Sequence, residues 1–226
     1  MNRRTPFVVS LLVIGAMLAI GLWGWTALPE GTRIAVHWDA SGHPNNYASK
    51  ALGLFGLPGV ALGMAVLFAI LPYIEPRRAN LLASRKLYLS GWYGSLFILA
   101  NAQLLIVLHA TGRVVDIRHW TLAAVGLLYL FLGNFMGKSR SNFFVGVRLP
   151  WTLSSELAWN KSNRLAGFGL MATGLATLAA VFAAKSPAPV IVLGAGTALS
   201  VTVAGIASYF YWKHDDNKID GGSIHE

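Results

Sequence analysis

The sequence predicts an all-α integral membrane protein, a six-transmembrane-helix bundle with its N- and C-termini cytoplasmic. Composition, the spacing of apolar runs and the placement of charge predict it together. Of 226 residues, 55% are hydrophobic and 12% charged, about half the charged share of a soluble domain. There are 24 glycines, and glycine is commoner in transmembrane than in soluble helices. So much apolar surface requires a solvent other than water, and lipid is the simple one.

A span takes roughly 20 apolar residues, because the hydrocarbon is about 30 Å thick and a helix rises about 1.5 Å per residue. Six segments qualify: 7–28, 51–74, 87–110, 120–136, 165–184 and 188–212. All nine Asp and Glu residues fall outside them. The first run follows Arg3 and Arg4 and is longer than a signal-peptide core. No small-x-small cleavage site with a soluble domain comes after it, so it reads as a retained helix.

Basic residues set the orientation. With the N-terminus inside, 13 Lys and Arg lie on the cytoplasmic side and 5 on the outer side, which accounts for all 18 and satisfies the positive-inside rule. The net charge of +9 is therefore a topological signal, with attraction to anionic headgroups, rather than a nucleic-acid patch. Trp23, Trp25, Tyr73, Trp120, Tyr209, Tyr211 and Trp212 stand near span ends as an interfacial belt. There are no cysteines, which excludes disulfides, thiolate metal sites and cysteine nucleophiles.

The chain divides into 1–28 (N-terminus and first span), an outer loop 29–50, spans two to four over 51–136, an inner loop 137–163, spans five and six over 164–212, and a tail 213–226. The last two spans carry small residues every fourth position: Ala172, Ala176, Ala180 and Ala184 in one, Gly196, Ser200, Ala204 and Ser208 in the other. Each row lies on one helix face, a groove for close packing, and the turn 185–187 makes the two helices neighbours. Gly59 and Gly63 repeat the pattern in the second span. The tail after Trp212 is short and polar, and is expected to fray.

In the outer loop, residues 33–38 can form a strand and Asp39, Ala40, Ser41 and Gly42 a turn, with Asp folding back on the chain and Gly free to take positive φ. His37, Asp39 and His43 around one turn, without a fourth ligand, make a weak metal signal. A folded surface loop is the better reading, and His37, Trp38, Asp39 and His43 are its candidate binding residues.

The inner loop gathers Lys138, Arg140, Arg148 and Arg164 with Trp151, Trp159, Asn134 and Asn142. Arginine beside tryptophan suits phosphate, carboxylate or ring-face binding. The competing reading is a positive-inside loop anchored at lipid headgroups, although anchoring does not require the asparagines and glycines. Pro150 holds Leu149 extended. Residues 152–163 can form a short helix capped by Thr152 or Ser154 and ended before the fifth span. Within the spans, Asn101 and Gln103 read as interhelical hydrogen-bonders and His109 as interfacial. No HExxH, GxSxG or P-loop signature is present, so no catalytic residue, cofactor or metal is expected.

The inner stretch resembles the signature of the SdpI family, named for a membrane immunity protein against a secreted bacterial toxin. Gly133, Asn134, Met136, Lys138, Arg140, Asn142, Gly146, Arg148, Pro150, Trp151, Thr152, Leu153, Trp159 and Arg164 stand at its positions. Gly137, Val147 and Leu149 stand where the family has proline, isoleucine and threonine. The outer loop resembles a domain of unknown function often found in that family, at Leu28, Pro29, His37, Trp38, Gly42, Pro44 and Lys50, with Asn45 where aspartate is common.

The resemblance implies a non-enzymatic, multi-pass protein of the bacterial cytoplasmic membrane that confers resistance to a secreted peptide toxin. It also implies signalling through recruitment of a cytoplasmic transcriptional repressor. Expected partners are membrane lipids, a secreted peptide toxin or amphiphile, and that repressor, with no direct nucleic-acid binding. The alternative readings are a transporter or exporter of an amphipathic small molecule, with Asn101 and Gln103 lining a membrane-depth cavity, and a membrane enzyme acting on lipid or cell-wall intermediates.

Overall fold

The computed structural model describes residues 4–183 and 187–219. In chain order the elements are α1 (Arg4–Ala27), β1 (Arg33–Trp38), β2 (Pro44–Ser49), α2 (Lys50–Ile74), α3 (Arg78–Ala83), α4 (Arg85–Ala110), α5 (Ile117–Met136), α6 (Pro150–Leu153), α7 (Glu156–Ala183) and α8 (Ala188–Lys213). Six of them, α1, α2, α4, α5, α7 and α8, are long and apolar enough to cross a membrane.

Packing follows chain order. α1, α2 and α4 form one mutually contacting set, α4 leads to α5, and α5 packs on α7, which packs on α8. The core of the first set is aromatic. Phe68 stacks on Trp92 at 5.6 Å, Tyr88 meets both edge-on, and the Trp92 indole N–H donates to Ser10 Oγ at 2.9 Å. An indole buried in an apolar bundle needs such an acceptor. Gln103, also buried, donates to the Leu54 carbonyl across the α2–α4 interface at 2.8 Å, as an interhelical hydrogen-bonder should.

Six traverses give the bundle two ends. One carries the β1–β2 hairpin and the α4–α5 turn, where Asp116 Oδ1 caps α5 by accepting the His119 N–H at 2.9 Å. That cap starts α5 before the hydropathy run begins at Trp120. The other end carries α3, α6, the 137–149 loop and the tail, joined by contacts such as Arg77 to the Leu153 carbonyl and Ile219 N–H to the Ser154 carbonyl.

Several sequence expectations change here. The short helix expected at 152–163 and the fifth span are one helix, α7. Its first turn is held by Ser155 Oγ, which accepts the Ala158 N–H, and not by Thr152 or Ser154. Polar Asn163 does not end it, because its amide bonds back to the Trp159 carbonyl one turn earlier at 3.0 Å. Thr152 instead closes α6, its Oγ1 accepting the N–H of Leu149, which is extended as Pro150 demands.

The small-residue rows are half corrected. Gly196, Ser200 and Ala204 do face α7, while Ser208 meets Trp151 of α6: a Cβ at Gly196 would lie 2.7 Å from Thr173, and one at Gly169 2.6 Å from Ser200 Oγ. On α7, however, Ala172 and Ala176 point outward, and the close approach is made by Gly169 and Thr173. Gly167 and Gly174 lie against Gly133 and Gly126 of α5, where a Cβ would meet backbone carbonyls at 2.6 Å. Gly59 and Gly63 likewise face outward. The α-helical period says which residues share a face but not which face is covered. Ala184 and the turn 185–186 lie outside the described residues. The tail is docked rather than frayed as far as Ile219, with Asp215 buried.

Candidate functional site

At the hairpin end, the outer loop folds into two strands where one was expected. Arg33 pairs with Ser49 and Trp38 with Pro44, antiparallel, with irregular register at His37. The turn closes through Asp39, whose Oδ1 accepts the N–H groups of Ser41 (2.8 Å) and His43 (2.9 Å), while Gly42 takes φ +87°. The His43 hydrogen bond holds the Asp39 carboxyl below its ordinary range, helped by the Ser41 N–H. His37 Nδ1 pairs with Asn45 Oδ1 at 2.5 Å. Among the described residues no three His, Asp or Glu side chains gather as a metal would require.

The hairpin is anchored at its base. Lys50, buried at the α2 N-terminus, donates to the Leu28 carbonyl at 2.7 Å, lies 4.4 Å from the Trp25 ring and pairs with Glu30 at 3.6 Å. Ile34 seats against Gly53, where a Cβ would meet Ile34 Cβ at 2.7 Å. Trp38 meets His109 edge-on at 5.5 Å. Between this hairpin and α4, α5 and α8 runs a groove of about 410 Å³, its wall formed by Val36, Trp38, Leu105, Ile106 and Leu122 with Arg118 at the side. His37 and Asp39 line it too, while His43 stands exposed beside Asp39. An apolar wall with a few convergent polar groups is the general form of a site for an amphiphile.

At the opposite end, the inner-loop candidates separate into two kinds. Asn142 and Trp159 are buried and brace the loop. Asn142 Oδ1 accepts the N–H groups of Phe144 and Val145, both at 2.9 Å, and the Trp159 indole donates to the Ser139 carbonyl at 3.0 Å. Trp151, half-buried, donates to Ser208 and ties α6 to α8. Arg148 donates to the Phe143 and Phe144 carbonyls at 3.1 and 3.0 Å, closing the loop on itself. Asn134, Lys138, Arg140 and Arg164 are exposed. Lys138 lies 5.7 Å from the Phe135 ring and Arg164 5.7 Å from the Phe168 ring.

Residues 138–211 match the SdpI/YfhL protein family, and residues 12–62 match a domain of unknown function (DUF1648). Over 206 residues the chain is 26% identical to "Immunity protein SdpI" of Bacillus subtilis (strain 168), covering 91% of this chain and 95% of that protein. These matches support an SdpI-family membrane protein. No solved structure matches it.

In this chain the signature positions Asn142, Thr152, Trp159 and Arg148 hold the loop together, while Asn134, Lys138, Arg140 and Arg164 stand exposed around it. Sequence reasoning missed the residues that clamp this SdpI-type loop from outside it. Glu75, buried at the end of α2, accepts the Arg77 N–H at 2.8 Å and the Phe143 N–H at 3.0 Å. Arg77 donates to Ser141 and, at 2.8 Å, to the Leu153 carbonyl. Asn80 donates to the Ser141 carbonyl at 2.8 Å, and Ser84 Oγ accepts the Arg140 N–H at 2.8 Å.

α3 is the reason, a six-residue helix too short for hydropathy to register. A signal was present in the Glu-Pro-Arg-Arg run that closes the second span, since a carboxylate against a span end needs partners. Beside the clamp, Arg77, Asn80, Glu156, His214 and Asp215 line a cleft of about 800 Å³. There the Ser155 hydroxyl, donating to Asp215, and the Asn217 N–H hold the Asp215 carboxyl below its ordinary range.

Proposed function

We propose that this protein confers immunity to a secreted peptide toxin in a bacterial cytoplasmic membrane, without a catalytic step. The supporting observation is the pairing of near full-length similarity to an immunity protein with an apolar groove beneath a rigidly anchored hairpin. In this reading the positive-inside distribution puts α3, the 137–149 loop and both termini in the cytoplasm, and the hairpin groove faces the toxin. An amphipathic peptide would lay apolar side chains along Val36, Leu105 and Ile106 and present polar groups to His37, Asp39 and Arg118. Signalling is the finer part of the proposal: a cytoplasmic repressor would engage the cleft lined by Arg77, Asn80, Glu156 and Asp215. Polar lining and both signs of charge suit a protein partner there.

Transport of an amphipathic small molecule through the third span is less well supported. Gln103, one of its two expected lining residues, is buried with its amide tied to the Leu54 carbonyl.

The test is expression in a toxin-sensitive bacterium challenged with secreted peptide toxins, beginning with the one met by the Bacillus subtilis relative. Survival should rise with the wild-type chain. It should fall back in Thr121→Trp and Ala40→Trp, which fill the groove from exposed positions. Survival unchanged by the wild-type chain across the panel would reject immunity. Undiminished protection by both tryptophan variants would reject the groove.

A further inference from the structure

A second cleft lies at the α3 end, where α5 stops against α7, and the immunity reading does not use it. It measures about 350 Å³, and its wall includes Asn134, Gly137, Lys138, Arg164, Phe168 and Met171. Its chemistry is ordered along the helix axis. Lys138 and Arg164 supply two cations and Asn134 an amide, while Phe168 and Met171 follow Arg164 one and two turns further into the span. Among the described residues neither cation has a carboxylate partner within 4.0 Å.

Gly137 makes the cleft possible. A Cβ there would meet the Arg164 backbone and side chain at 3.0 and 3.1 Å, so the helix end and Arg164 approach without a side chain between them. The last carbonyls of α5 do not oppose an anion strongly, since those of Phe135 and Met136 accept the N–H groups of Lys138 and Ser139. A pair of cations above an apolar shaft matches a molecule with a phosphate at one end and hydrocarbon at the other.

We propose that Asn134, Lys138 and Arg164 form a binding site for the phosphate of an anionic membrane phospholipid, whose acyl chain lies along Phe168 and Met171. Ordinary headgroup attraction would be shared by every exposed cation at this end, including Arg140, which lies outside the cleft. A built site would not be. The distinction is measurable.

The experiment follows thermal unfolding and native mass spectra of the full chain in detergent with added phosphatidylglycerol, phosphatidylcholine or soluble glycerol 3-phosphate. Phosphatidylglycerol should raise the unfolding midpoint and remain bound in the spectrum, and the other two should not. Lys138→Gln with Arg164→Gln should lower retained phosphatidylglycerol to the phosphatidylcholine level, whereas Arg140→Gln should retain it as the wild type does. Should the double variant fail to fold, Lys138→Gln alone, at an exposed position past the helix end, should still reduce retention. Equal loss in Arg140→Gln, equal retention of phosphatidylcholine, or equal stabilisation by glycerol 3-phosphate would each overturn the proposal.

Discussion

The side-chain oxygen of Asn163, on the fifth span, accepts the backbone N–H of Val147 in the 137–149 loop at 2.7 Å. The contact is close enough to dictate the loop's shape. Gly146, just before Val147, takes φ +114°, and a Cβ there would lie 2.5 Å from that same Asn163 oxygen and 3.1 Å from the Trp159 ring. Only glycine combines this backbone conformation with so near an approach.

Asn163→Leu should therefore cost about 1–3 kcal/mol, the usual consequence of leaving a sheltered N–H without its acceptor. Gly146→Ala should act in the same direction through strain and contact together. Chemical unfolding in detergent measures both, and wild-type stability in Asn163→Leu would show that the contact contributes nothing.

Glu75 predicts a more local effect. Its two oxygens accept the N–H groups of Arg77 and Phe143, so Glu75→Gln turns one amide N–H toward another. The loop should loosen by about 1–3 kcal/mol, and trypsin should cut faster at the exposed Arg140 and Arg148. Cleavage at the wild-type rate would mean that Glu75 does not hold the loop.

At the hairpin end the sensitive position is Gly53. Gly53→Ala places a methyl 2.7 Å from Ile34 Cβ, and overpacking of this kind costs about 1–3 kcal/mol. Amide hydrogen exchange should quicken across 33–49 while the Trp92 region stays protected. Equal change in both would point to global destabilisation instead.

Asp215 gives the tail a pH dependence of definite sign. Hydrogen bonds from Ser155 and Asn217 lower its pKa in the folded chain below the ordinary 3.8. The unfolded or undocked tail therefore binds the proton more readily, so the stabilisation is complete above 3.8 and is lost as the pH falls below it. Hydrogen exchange of the 214–219 backbone should show this acid limb in the wild type. Asp215→Asn should abolish it.

Hydropathy alone predicted six spans, because lipid imposes a length and an apolar composition that single residues report independently of their neighbours. Turn chemistry was nearly as local: Asp39 and Gly42 build their turn, and Leu149 is extended before Pro150, for reasons contained within a few residues. The resemblance to the SdpI signature was carried by the same short-range order of residue types.

Tertiary structure decided what those residues touch. β2, with Pro44, Asn45 and Asn46, has little strand propensity of its own and exists because β1 pairs with it. Ala172 and Ala176 face outward while Gly169 and Thr173 pack, since small side chains permit close approach on any face and only the neighbouring helix selects one. Asn142, Trp159 and Arg148, read as binding candidates, also fasten the loop from inside, through backbone partners that no side-chain pattern reveals. The two clefts and the hairpin groove, built from residues as distant as Val36 and Val190, came into being only with the packing of the bundle.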